Sequence, residues 1–177
     1  TRSEYAAEFE NTSLSYGTGE NALDGISLKI KRGSTIGIIG STGSGKSSLI
    51  GLLPRFYDVT GGRVLVDGED VRNYDLKALR GKIGGVAQKK ALFKGSVRDN
   101  IRFAKPDATD EEIWQALETA QAKQMVLDKT GGLDFMLEQD GKNLSGGQRQ
   151  RMTIARALVR KPEILILDDA ARALDYA

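Results

Sequence analysis

Gly40-Ser41-Thr42-Gly43-Ser44-Gly45-Lys46-Ser47-Ser48 constrains this chain more than any other stretch. It fits G-x-x-x-x-G-K-[ST], the pattern of a phosphate-binding loop. Its flanks fit too. Thr35-Ile36-Gly37-Ile38-Ile39 is an apolar run of strand length, and Ser48–Leu53 has apolar residues at helical spacing before Pro54. Strand, glycine loop and helix is the context in which the pattern carries chemistry. Glycines let successive N–H groups converge on one anion, and a helix N-terminus adds positive dipole at the same spot. Lys46 supplies a point charge for β- and γ-phosphates, and the Ser47 hydroxyl a ligand for Mg2+. The bland alternative is a flexible Gly/Ser loop.

Bulk properties narrow the class. With 177 residues the chain can bury a sizeable core. Its net charge of +2 gives no strong field toward nucleic acid or anionic membrane. It has no Cys, which excludes disulfides, and no His, so no imidazole serves as base, switch or metal ligand. No apolar run approaches the ~20 residues of a membrane span. The chain opens at Thr1 rather than Met, which suggests a piece of something longer.

Taken in order, residues 5–16 read as a strand, Thr18–Asn21 as a turn, and Ile26–Lys31 as a strictly alternating strand with one wet face. This start looks antiparallel. Tyr16, near the glycine loop, can stack on adenine or simply pack locally at a strand end. Gly61–Gly68 is another strand between turns. Ile83–Ala87 is a short apolar strand with Gln88 just past its end, where ligands of open α/β sheets bind. Gln88 can therefore reach metal or attacking water, or be a surface glutamine.

Residues 95–150 change character. Thr109 and Glu112 form a capping box opening a helix, whose stripe of Ile113, Ala116, Leu117 and Ala120 reads as core. Leu144-Ser145-Gly146-Gly147-Gln148 precedes a helix with Met152, Ala155, Leu158 and Val159 on related faces. Arg149, Arg151, Arg156 and Arg160 are most simply its solvated side, and the helix must stop near Pro162. Ile164–Leu167 is wholly apolar, as a strand buried on both faces should be. It ends in Asp168-Asp169, and a carboxylate there, in a phosphate-loop protein, is positioned to hold Mg2+.

Together these residues resemble the ATP-binding domain of an ABC transporter, over nearly the whole chain. Leu144–Gln148 matches the ABC signature residue for residue. The resemblance implies an α/β P-loop NTPase core with an N-terminal antiparallel β subdomain and an α-helical subdomain carrying the signature. It is expected to be one domain over residues 1–177, with 1–94 plus 151–177 as the nucleotide-binding core and 95–150 as the helical part. By position, Tyr16 matches the adenine-stacking aromatic and Gln88 the Q-loop glutamine, a catalytic and metal-binding position. Asp168 matches the Walker B aspartate, and Ala173-Leu174-Asp175 the D-loop. Leu92–Ile101 is similar to the corresponding run of exporters.

The resemblance implies ATP and Mg2+ as ligands, held by Gly40–Ser48, with Ser145, Gly146, Gly147 and Gln148 facing nucleotide on a second subunit in a head-to-tail dimer. It implies membrane-spanning domains as partners, at the cytoplasmic face of a membrane, and no nucleic acid. Three departures stand out. Asp169 occupies the place of the family's catalytic Glu, which suggests the low-activity half of a heterodimeric exporter. Ala170-Ala171-Arg172 replace the usual serines. The chain ends at Ala177 without the family's switch histidine or closing strands, as a C-terminally shortened piece would.

Two alternatives are a regulatory module whose ATP never turns over and a soluble ABC ATPase of DNA repair or translation. Repair members carry long coiled-coil insertions. Residues 89–143 here show one clear amphipathic helix and no heptads.

Overall fold

The computed structural model describes residues 2–17, 19–41, 43–86 and 92–167. They fall into two compact units, residues 1–83 and 84–177.

The first unit is built on a four-stranded sheet. Strand β1 (Tyr5–Leu14) pairs antiparallel with β2 (Leu23–Lys31) on one side and with β3 (Gly61–Val66) on the other, and β3 pairs with the short β4 (Glu69–Asp70). The antiparallel start expected from the alternation at 26–31 is present. Phe9 stands opposite Leu28 and Val64, and Ala7, Phe9, Leu14, Val64 and Val66 are buried. Helix α1 (Lys46–Leu52) stops ahead of Pro54, as expected, and buries Leu52. A second helix, α2 (Leu76–Lys82), begins where the Asp75 carboxylate accepts the Ala78 N–H at 3.0 Å, and it buries Leu79.

The run Thr35–Ile39 differs from its expectation. Residues 34–41 belong to no strand, and Ile39 is 99% exposed, with Ile36 and Ile38 also exposed. The physical reason is pairing: apolar character favours a strand only where a neighbour accepts its hydrogen bonds, and no sheet among the described residues includes this run.

The second unit is helical. Strand β5 (Ile83–Val86) pairs with β8 (Ile164–Leu167), and β6 (Gly95–Ser96) pairs antiparallel with β7 (Met136–Leu137). Around them lie α3 (Val97–Arg102), α4 (Asp110–Thr119), α5 (Lys123–Leu127) and α6 (Gly146–Leu158). One apolar cluster joins Val97 and Ile101 of α3, Ile113 and Leu117 of α4, Val126 of α5 and Met152 of α6. The α4 stripe is therefore core, as its spacing indicates. Within 89–143, among the described residues, α4 is the amphipathic helix expected, and it is joined by α3 and α5, which with six and five residues are too short to display a period.

Two further expectations are corrected. Ile164–Leu167 is half-buried and ends in an exposed Leu167, since among the described residues it has one neighbouring strand, β5. Arg156 is buried at 6% exposure, whereas Arg149, Arg151 and Arg160 are exposed. Met152, Ala155, Arg156 and Val159 recur at i, i+3, i+4 and i+7, so Arg156 lies on the apolar stripe, and burial lowers its pKa from the ordinary guanidinium value.

The ends of three helices are closed by reciprocal caps. Ser96 with Asp99 caps α3, Thr109 with Glu112 caps α4, and Ser145 with Gln148 caps α6. In the second, Thr109 Oγ1 accepts the Glu112 N–H at 3.2 Å while Glu112 accepts the Thr109 N–H at 3.1 Å. Replacing Thr109 by Ala is expected to cost about 1 kcal/mol of stability, because one orphan donor loses its partner. Urea unfolding of Thr109→Ala against the parent chain measures this, and an unchanged midpoint would contradict it.

Arg98 ties the elements together. It donates to both Asp110 oxygens, at 2.9 and 3.0 Å, and to Asp134. These hydrogen bonds raise its pKa and join α3, the start of α4 and the turn before β7.

Candidate nucleotide site and signature turn

In the first unit the glycine loop leads into α1. Gly45 caps the helix with φ 90°, a left-handed conformation open to glycine. It also lies against the β1–β2 connection: a Cβ at Gly45 would stand 2.7 Å from the Ala22 carbonyl oxygen. The Lys46 ammonium donates to Gly40 O, to Ser41 O at 2.8 Å and to Ser44 Oγ at 3.3 Å. The loop thus wraps its own cation, and Ser47 and Ser48 follow in the first turn of α1.

Tyr16 stands at this site. It lies two residues past the end of β1 and is 54% exposed, and its hydroxyl is hydrogen-bonded to Ser48 Oγ at 2.8 Å. An exposed aromatic face fixed against α1 can accept a base while the loop holds phosphates. Tyr57 meets the Tyr16 ring edge to face, with centroids 5.4 Å apart. Tyr57 belongs to none of the sequence motifs. Its available signal was Phe56-Tyr57, an aromatic pair in a connection just past Pro54.

The donor set suits a phosphate group with Mg2+. A converging glycine loop with an ammonium at its centre complements a polyphosphate. Among the described residues no group of three or more Asp, Glu, His or Cys forms a metal cage. Mg2+ needs none, since it binds through one or two protein ligands, waters and substrate phosphates.

In the second unit the signature turn is held from both sides. Leu144 is buried, and Ser145 caps α6: Ser145 Oγ accepts the Gln148 N–H at 3.2 Å, and Gln148 Oε1 accepts the Ser145 N–H at 3.0 Å. Ser145 and Gly146 are exposed. Upstream, the Asn143 amide accepts the Glu138 N–H and donates to Met136 O, each at 3.0 Å. Asp140, with φ 59°, donates its N–H to Leu92 O at 2.8 Å.

The structure thus gathers Tyr16, Lys46, Ser47 and Ser48 in one unit and Ser145–Gln148 in the other. Thr42, Gln88, Asp168, Asp169 and the segment 170–175 lie outside the described residues.

Comparison with known proteins agrees with this fold. The family model described as ABC transporter matches residues 23–172. The ABC transporter ATP-binding protein YknU of Bacillus subtilis is 46% identical over 168 residues, covering 94% of this chain and 29% of that protein. ABC transporter B family member 21 of Arabidopsis thaliana is 44% identical over 170 residues, covering 95% of this chain and 13% of that protein. Among solved structures, a bacterial Atm1-family ABC exporter with ATP bound superposes with a TM-score of 0.84 at 35% identity, covering 99% of this chain and 31% of that one. The chain belongs to the ABC transporter family and has the α/β fold of its ATP-binding cassette. It spans less than a third of the length of these relatives. Among the described residues, no helix is long and apolar enough to cross a membrane.

Proposed function

We propose that this chain binds ATP with Mg2+ and, paired head to tail with a second nucleotide-binding domain, drives export through membrane-spanning domains from the cytoplasmic face. The observation that carries the reading is the joining of a base platform to a phosphate loop: Tyr16, hydrogen-bonded to Ser48, lies on the helix that Lys46 begins. The loop residues Gly40–Ser48 take the phosphates. Ser47, Gln88 and Asp168 take Mg2+, which when bound neutralises developing charge on the transferred phosphoryl group. Ser145–Gln148 serves nucleotide on the partner. Residues 1–94 with 151–177 form the nucleotide-binding core, and 95–150 the helical part. Asp169 and Gln88 address the attacking water, and Asp169 makes this chain's own site slow.

The test is an ATP titration at fixed salt and Mg2+, beside a phosphate-release assay. Lys46→Ala is expected to weaken ATP binding at least ~10-fold, the scale of losing hydrogen bonds to a charged group. Unchanged affinity removes the assignment. The phosphate-release arm separates the second reading, a regulatory module: the substitution at Asp169 favours it if ATP binds and no phosphate appears.

A further inference from the structure

The connection from α1 to β3, residues 53–60, holds Tyr16 through its ring and through the backbone just before it. At its end, Thr60 Oγ1 accepts the Ser15 N–H at 3.1 Å and donates to Ser13 O at 3.2 Å, which fixes the backbone just before Tyr16. Near its middle, Tyr57 meets the Tyr16 ring at an interplanar angle of 82°. The connection is itself anchored. Phe56 N–H donates to Gly51 O at 2.9 Å, and Arg55 pairs with Asp58 at 2.7 Å. Arg80 donates to Pro54 O at 3.0 Å and covers the Phe56 ring at 5.3 Å. The Tyr57 ring lies on the bare backbone of Gly51 in α1, where a Cβ would stand 2.9 Å from its Cε2.

We propose that Tyr57 is a positioning residue for the nucleotide base: it holds the Tyr16 ring in place on α1 so that the ring meets adenine without first being ordered. The proposal rests on the ATP-binding reading above. Tyr57 acts through Tyr16 and need not touch nucleotide. Its ring makes the contact, so the hydroxyl is dispensable. A half-exposed tyrosine without this neighbour samples other rotamers and loses part of its stacking when a base arrives. An edge-to-face pair accounts for about three- to tenfold in such an equilibrium.

The experiment titrates the 177-residue chain with Mg2+-ATP and, separately, with inorganic tripolyphosphate and Mg2+, a probe that has phosphates and no base. Tyr57→Ala is expected to weaken ATP binding about three- to tenfold and to leave tripolyphosphate binding unchanged. Tyr57→Phe should match the parent. Gly51→Ala should follow Tyr57→Ala, because the added methyl displaces the ring while alanine favours the helix. In a Tyr16→Ala background, Tyr57→Ala should add no further loss. Unchanged ATP affinity in Tyr57→Ala, a parallel fall in tripolyphosphate binding, or a loss that persists without Tyr16 overturns the proposal. A parent chain that binds neither probe overturns the ATP reading itself.

Discussion

Replacing Asp169 by Glu is expected to speed ATP hydrolysis at this chain's own phosphate loop by tenfold or more. A general base must come within roughly 2.6–3.2 Å of its water. Asp is one methylene shorter than Glu, so from the same backbone its carboxylate falls on the order of 1 Å short, and a misplacement of about 1 Å costs roughly 10²-fold in rate. On the proposed reading binding should suffer little, because Lys46 and Ser47 are assigned to the phosphates and Mg2+ without Asp169. The measurement is single-turnover hydrolysis in a transporter carrying this chain, with the partner's site disabled, comparing Asp169 with Asp169→Glu. If the two rates match, side-chain length does not limit the site and its assignment as the slow half is dropped.

Ser145→Arg is expected to abolish hydrolysis at the partner's phosphate loop while leaving ATP binding at this chain's own loop intact. The cap geometry supplies the reason. Ser145 Oγ already accepts the Gln148 N–H, so its remaining O–H is free to donate to a γ-phosphate, beside the exposed backbone of Gly146 at the start of a 13-residue helix. Arginine removes the capping hydroxyl, which has no acceptor equivalent in a guanidinium, and fills the space beside Gly146 with a long side chain. In a reconstituted transporter, hydrolysis is read at each site separately by disabling the other. Loss of binding at this chain's own loop, with the partner's turnover intact, would show that the turn works within one subunit.

Local chemistry with a fixed spacing was legible in the sequence. The glycine loop and Pro54 bound α1, and the three-residue spacing of Thr109 and Glu112 gave a cap found in both directions. What depended on neighbours was not legible. The run 35–39 is as apolar as a buried strand, but strand formation depends on a partner that its own residues do not encode. Arg156 reads as surface by type, yet its place in the α6 repeat puts it inside. Asn100 is fully buried because its amide accepts the Phe93 N–H and donates to Phe93 O and Ser96 O. A polar residue satisfied by backbone leaves no pattern. The candidate site divides likewise: Lys46 and Ser145 announce themselves by motif, whereas Tyr57 acquires its place only when the 53–60 connection folds back beside Tyr16.

The β1–β2 connection carries Tyr16 near one end and Ala22, whose carbonyl bounds Gly45, near the other. On the nucleotide reading, these two residues are the jaws of a caliper, one at the base, held to α1 through Ser48, and one at the turn of the loop, held to β1 where the Ala22 N–H donates to Leu14 O at 2.8 Å. On that same reading the gap between them acts as a length standard for the nucleotide. Because each jaw is anchored outside the connection, the gap is set by β1 and α1, and on that reading a change in either element alters the fit of the nucleotide even where no residue that touches it is replaced.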